Sequence, residues 1–332
     1  MKSGLRYVDD TEPGYTRRRS GRGWVYLKDD GVRVTDRQEI DRLNRLAVPP
    51  AYTKTWFCRD PNGHLQATGY DARGRKQYRY HIDYRAHRDA EKFAGLADFG
   101  RALPKLRACV ERDLAKRRLD KNKAVAAVIR LLDGGQVRVG NDCYAQENDS
   151  YGATTLRSRH VRLNGQTIAL RFRGKSGKVH SLKLTDRLLA NAVRRCQDLP
   201  GQRLFTYIGE DGEVHPVTSG DVNAYIHEVM DTDYSAKHFR TWGASAIALE
   251  VVLANDGPIP AKAVLEPVSA ALGNTVAVAR SAYVHPQLLD LASDAKLRKH
   301  IKLSKPRAGK YLTSTERALI SVLDKLKNHQ GV

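Results

Sequence analysis

Four residues spread over nearly half the chain, Arg138, Lys175, Arg240 and Tyr283, are of the types that a metal-free phosphoryl transfer requires. A tyrosine hydroxyl can attack phosphorus and hold the product as a covalent ester. Its ordinary pKa of about 10 means that it needs help at neutral pH. Negative charge gathers on the non-bridging oxygens in the transition state. Two guanidiniums can bridge those oxygens with planar, multi-donor forks. A lysine on a loop can then protonate the departing oxygen as general acid. Taken singly, each residue has an ordinary explanation: a surface arginine, a solvated lysine on a polar turn, a core tyrosine. Their order along the chain carries the weight.

Other chemistries fit poorly. Cys58, Cys109, Cys143 and Cys196 are at least 34 residues apart, so they form no Cys-x-x-Cys metal pair. They are expected to be buried or semi-buried free thiols in a reducing cytoplasm. The 11 histidines include no His-x-x-x-His pair, and the carboxylates are not clustered in a two-metal pattern. No metal is expected. Gly174-Lys175-Ser176 is similar to the end of a phosphate-binding P-loop. That motif needs Gly where Ala169 stands and a helix afterwards, whereas a strand is predicted to follow. Nothing points to a nicotinamide or flavin site, and no cofactor is expected.

The charge balance points to the partner. Lys and Arg total 57 against 37 Asp and Glu, a net charge of +20. Residues 1–85 hold 18 basic and 11 acidic side chains, leaving 39 and 26 for the remainder. Both parts are basic, as two lobes gripping one polyanion would be, and nucleic acid is the commonest polyanion. The start of the chain has no apolar run of signal-peptide length, and no stretch of about 20 apolar residues suggests a membrane span. A cytoplasmic, nucleoid-associated monomer is expected.

The elements that must position these residues fall into two domains, 1–82 and 83–332. In the first, Gly23-Trp24-Val25-Tyr26-Leu27-Lys28 and His64-Leu65-Gln66-Ala67-Thr68-Gly69-Tyr70 read as strands, and Asp29-Asp30-Gly31 as a tight turn. A small β-rich domain with one or two short helices is predicted. From about residue 84 apolar positions recur at three- and four-residue spacing, notably over 89–117 and 120–132. One β excursion, from about Thr155 to Leu184, is predicted as a small three-stranded antiparallel sheet. Asn164-Gly165 marks a hairpin, and Gly174 to Lys178 a flexible turn. Thr313-x-x-Glu316 reads as a capping box opening a helix with Leu319, Ile320, Leu323 and Leu326 on one stripe. The fold class is α+β, with a larger, mostly helical second domain.

Short segments around the four residues resemble the conserved boxes of the type IB DNA topoisomerases of bacteria and poxviruses. Val137-Arg138-Val139-Gly140-Asn141 is similar to the first arginine box. Phe172-Arg173-Gly174-Lys175 at a hairpin tip looks like the catalytic lysine. Lys237-His238-Phe239-Arg240-Thr241-Trp242-Gly243-Ala244-Ser245 resembles the second arginine box. Gly273-Asn274-Thr275, with Tyr283 nine residues after Asn274, looks like the final box and its nucleophile.

The resemblance implies a clamp around duplex DNA that cuts one strand through a 3′-phosphotyrosyl link, lets supercoils relax and reseals without ATP or metal. Arg138, Arg240 and Asn274 would hold the scissile phosphate, Tyr283 would attack and Lys175 would protonate the 5′-oxygen. Human and poxviral members carry His where this chain has Asn274. An amide can donate a hydrogen bond but cannot become cationic. Residues 71–81 resemble a helix that enters the DNA major groove in these enzymes, which implies DNA contacts for Gln77, Tyr78 and Tyr80. Tyr144 and Lys237 look like phosphate contacts near the cut.

Two other readings compete. A tyrosine site-specific recombinase shares the chemistry, but its second arginine box reads His-x-x-Arg. Here Lys237 holds that place and His238 is out of phase. A basic architectural DNA binder needs no such catalytic set.

Overall fold

The structure is a computed structural model, and residues 4–330 are described. The chain divides into two compact units between Phe93 and Ala94.

The first unit is built on a five-stranded antiparallel sheet. Its strands are β1 (Gly14–Ser20), β2 (Gly23–Leu27), β3 (Thr53–Cys58), β4 (Leu65–Tyr70) and β5 (Lys76–Tyr80), in the order β2-β1-β3-β4-β5. Helix α1 (Arg37–Arg45) is capped by the Asp36 carboxylate, which accepts from the Gln38 amide. Its Leu43 packs with Tyr26, Val34, Val48, Phe57 and Ala67 in the core. Helix α2 (Ile82–Ala94) follows β5.

One expectation is corrected here. Residues 76–80 form an edge strand, not a helix. The cause is local. The Asp71 carboxylate accepts from the Arg73 and Arg75 amides, and Gly74 adopts φ 71°, so the chain turns back at 71–75. Alternation then pairs Thr68 with Tyr78 and Leu65 with Tyr80. Helix begins only at Ile82.

The second unit is mostly helical, with the order α3 (Leu96–Ala115), α4 (Lys121–Gly135), α5 (Asp142–Asn148), β6 (Val161–Asn164), β7 (Thr167–Arg173), β8 (Val179–Thr185), α6 (Arg187–Gln197), β9 (Thr206–Ile208), β10 (Val214–Pro216), α7 (Ser219–Met230), α8 (Ala236–Leu253), α9 (Ala261–Leu272), α10 (Val276–Ala282), α11 (Pro286–Ser293), α12 (Ala295–Ile301) and α13 (Ser314–Gln330). The three-stranded antiparallel sheet β6-β7-β8 is as expected, with the hairpin turned at Gly165, φ 59°. The β9-β10 hairpin was not anticipated; its strands have three residues each, too few to show a period.

Helix α3 packs against α4, α7, α8 and α13. Phe99, Leu103, Leu106, Phe239 and Trp242 are buried there. The capping box of α13 forms as read: Glu316 accepts from the Thr313 amide at 2.8 Å, and its own amide donates to Thr313 Oγ1 at 3.1 Å. Glu316 also closes a buried network. Arg107 donates to both Glu316 and Asp133, and Trp242 Nε1 donates to Glu316 at 2.9 Å. Cys58 and Cys196 are buried and Cys109 is half-buried, but Cys143 is exposed on the short helix α5, contrary to expectation.

Candidate active site

Arg138 sits just beyond the C-terminus of α4. That helix ends at Gln136, whose left-handed conformation (φ 52°) redirects the chain. The Arg138 and Val139 carbonyls accept from the Ala153 and Thr154 amides at 2.8 and 2.7 Å, which fixes the backbone behind the guanidinium. Gly152 is required at this crossing, because a Cβ there would lie 2.6 Å from the Arg138 carbonyl.

Arg240 occupies the second turn of α8 and is only 3% exposed. Its Nη1 donates to the Gln136 carbonyl and its Nη2 to the Leu272 carbonyl at 3.1 Å. The Gln136 side chain also lies against Gly243, where any Cβ would collide with it. The two arginine segments are therefore tied together through one residue.

Tyr283 caps the C-terminus of α10, with its amide donating to the Ala279 carbonyl at 3.1 Å. Its ring centroid is 4.9 Å from the Arg240 guanidinium carbon and 6.0 Å from that of Arg138. Burial acts to raise the phenol pKa, but the charges of Arg240 and Arg138, and hydrogen bonds from both, outweigh it and lower the pKa overall. Asn274 follows Gly273, which ends α9 at φ 63°. The Asn274 Oδ1 accepts from Arg138 Nη2 at 3.5 Å. Asn274 Nδ2 and Arg240 Nε are buried donors with no acceptor. The cluster thus joins an activated phenol, two guanidiniums and spare donors, the elements of a site for a phosphodiester anion.

Two family models and several relatives match the chain. The family described as eukaryotic DNA topoisomerase I, catalytic core, matches residues 81–281. That described as bacterial DNA topoisomerase IB, N-terminal domain, matches residues 23–71. The DNA topoisomerase 1B of Acanthamoeba polyphaga mimivirus is 36% identical over 244 residues, 72% of this chain and 73% of the viral one. The chain belongs to the type IB DNA topoisomerase family. The DNA topoisomerase 1B of vaccinia virus (strain Copenhagen) is 21% identical over 280 residues, 81% of this chain and 84% of the relative. Among solved structures, the XerH site-specific recombinase overlaps 57% of this chain and 49% of its own at 14% identity, with a TM-score of 0.39, a likeness too slight to bear on function. The protein is a DNA-binding isomerase, a DNA topoisomerase IB.

The other expected site residues of this topoisomerase are distributed as follows. Lys175 is exposed at the tip between β7 and β8, where Gly174 donates to the Lys178 carbonyl at 2.7 Å and Ser176 and Gly177 take positive φ. Lys237 is exposed one turn before Arg240 on α8. Tyr144 lies on α5, and its side chain falls outside the described residues. Gln77, Tyr78 and Tyr80 belong to the first unit. Tyr78 and Tyr80 are 46% and 41% exposed, with rings stacked at 6.0 Å on one face of β5. Gln77 points to the other face and donates to Asp71 at 3.1 Å.

Three supporting residues were missed in the sequence. Gln136 receives Arg240, as described. Ser245 Oγ donates to the Tyr283 carbonyl at 3.4 Å and accepts from the His285 amide at 3.2 Å, holding the backbone on the C-terminal side of the phenol. His180 lies beside Gly174 and Gly273. Ser245 ends the quoted second arginine segment, and that position was its only signal. Gln136 offers its carbonyl to Arg240 and the His180 ring lies against two glycines, and neither contact leaves a motif.

Among the described residues, no helix is long and apolar enough to cross a membrane.

Proposed function

We propose that Tyr283 is the nucleophile of this topoisomerase and forms a 3′-phosphotyrosyl link to one strand of duplex DNA. Arg138, Arg240 and Asn274 bind the non-bridging oxygens of the scissile phosphate, and Lys175 protonates the departing 5′-oxygen. In balance, the Tyr283 oxygen bonds to phosphorus, the phosphorus–O5′ bond breaks, the phenol proton goes to solvent and O5′ takes a proton from Lys175. Resealing is the reverse, with the 5′-hydroxyl as nucleophile and the tyrosine as leaving group. The bond energy is retained in the ester, so no ATP is needed. Tyr78 and Tyr80, together with Gln77, Tyr144 and Lys237, contact the duplex, and the protein acts as a monomer in the cytoplasm on nucleoid DNA.

The observation that carries this reading is the Tyr283 phenol beneath two guanidiniums, held by main-chain carbonyls and an amide rather than by carboxylates. Their positive charge is therefore left for an anion. The expected test outcome is that Tyr283→Phe binds DNA with unchanged affinity but relaxes no supercoiled plasmid and leaves no adduct on a denaturing gel. Covalent trapping at the wild-type level by this variant would place the nucleophile elsewhere.

A further inference from the structure

The Lys175 turn poses a positioning problem. Lysine has a flexible four-carbon stem, and this one stands on an exposed tip. A general acid must reach one oxygen within hydrogen-bond distance. The base of the turn therefore has to be held against the cluster that binds the phosphate, and one side chain lies where it can do so.

His180 is on β8, directly opposite Phe172 of β7. Its ring stacks on Phe172 at 5.2 Å with an interplanar angle of 12°. The edge of the imidazole meets two glycines. A Cβ on Gly174, the residue before Lys175, would lie 2.5 Å from His180 Cδ2. A Cβ on Gly273, the residue before Asn274, would lie 2.6 Å from His180 Cε1. Gly174 has φ −99°, which any residue can adopt, so its glycine is needed for close approach and not for backbone freedom. Burial lowers the His180 pKa, and the nearby charges of Arg240, Arg138 and Lys178 add to this, all favouring the neutral ring. A neutral ring can sit among these cations without repelling them.

We infer that His180 is a positioning residue: it wedges between the Gly174 turn and the Gly273 cap and so holds the Lys175 tip in register with the phosphate-binding side chains. This rests on the assignment of Lys175 as general acid. The mechanism makes a selective demand. Loss of the wedge should impair protonation of the leaving oxygen while sparing the steps that Arg138, Arg240 and Tyr283 perform.

Single-turnover cleavage of an ordinary duplex and of one with sulfur at the bridging 5′ position separates these. A thiolate leaves without a proton. The variants are Lys175→Ala, His180→Ala and Gly174→Ala. The last keeps the imidazole but forces it off the turn, and it carries the test should His180→Ala fold poorly. On the oxygen substrate, His180→Ala and Gly174→Ala should each lose about 10²-fold in rate, the scale of an ångström of misplacement. On the sulfur substrate both should return to near the wild-type rate, as Lys175→Ala should, with DNA affinity unchanged throughout. Rescue of Lys175→Ala by sulfur without rescue of the other two would overturn the positioning role, as would wild-type rates for both on oxygen. Failure of sulfur to rescue Lys175→Ala would instead remove the general-acid assignment, and the inference with it.

Discussion

Arg138 and Arg240 are assigned the same chemistry but sit in different environments, and truncating each to alanine should separate rate from stability. Arg240 is 3% exposed and its two terminal nitrogens serve the Gln136 and Leu272 carbonyls. Arg138 is half-buried, and its guanidinium serves the Tyr283 phenol and, over 3.5 Å, the Asn274 Oδ1, with no main-chain carbonyl described as depending on it. Removing either guanidinium takes away a donor to the transition state, worth about 2.7–4 kcal/mol, or about 10²–10³ in rate. Arg240→Ala in addition strands two carbonyls inside the protein. At about 1–3 kcal/mol for each unsatisfied group, the fold should lose at least about 2 kcal/mol. Arg138→Ala should change stability by no more than about 0.5 kcal/mol, as is usual away from such buried features. Single-turnover cleavage and religation measure the first effect, and urea unfolding the second. The expected pattern is similar kinetic defects in both directions with unequal midpoints. Equal destabilisation by the two variants would refute the reading of Arg240 as a residue of both fold and site. A wild-type cleavage rate for Arg240→Ala would refute its place in the site altogether.

The lowered Tyr283 pKa has a pH consequence: cleavage should rise with pH as the phenol ionises and level off below the range of an ordinary tyrosine, and Arg138→Ala should move the rise to higher pH by removing a positive charge. An unmoved profile would show that the guanidinium does not act on the phenol. The buried Arg107 network predicts that Arg107→Ala costs about 3–5 kcal/mol by leaving Asp133 and Glu316 uncompensated, read by thermal unfolding. Burial alone would raise the Glu316 pKa, but its bonds and charge interaction with Arg107 lower it overall. Its contribution is therefore present above the usual carboxylate range and lost as the pH falls through the lowered value; the wild type should lose stability there more steeply than Glu316→Gln. DNA affinity should fall steeply with salt, with a log–log slope of about −0.9 per phosphate neutralised, given the net charge of +20. A flat response from low to physiological salt would contradict a phosphate-driven interface.

The candidate site residues were legible because each lies in a short segment whose neighbours are constrained as well: Gly243 by the Gln136 side chain, Gly273 by its positive φ and by His180, Gly174 by His180. Residues 71–80 were misread for the opposite reason. Lys, Gln, Tyr and Arg are compatible with helix or strand, and what decides is pairing with β4, a partner that the local pattern does not display. The Asp71 turn and Gly74 were the available signals against a helix.

What the sequence hid most completely is the difference between two arginines of the helical core, Arg107 half-buried and Arg240 buried. Arg107 and Arg240 both lie in helices and both support the same helical core. Arg107 is bonded to two carboxylates, so its charge is neutralised and it acts as a structural tie between α3, α4 and α13. Arg240 is bonded to two carbonyls, which fix the plane of the guanidinium but carry no net charge. Arg298 is held the same way, by the Val252 and Asn255 carbonyls, so carbonyl bonding alone does not define a catalytic group. Arg240 is set apart by the phenol 4.9 Å away and by the Arg138 guanidinium, 6.0 Å from the same ring. Dipoles orient the cation without cancelling it, and that uncancelled charge both lowers the Tyr283 pKa and remains available to an anion. A carboxylate introduced near this guanidinium, as in Gln136→Glu, should therefore suppress cleavage even where the fold survives. Gln136→Met, which keeps the main-chain acceptor, should be far milder. Equal activity of the two in single-turnover cleavage would mean that orientation alone, and not free charge, is what Arg240 supplies.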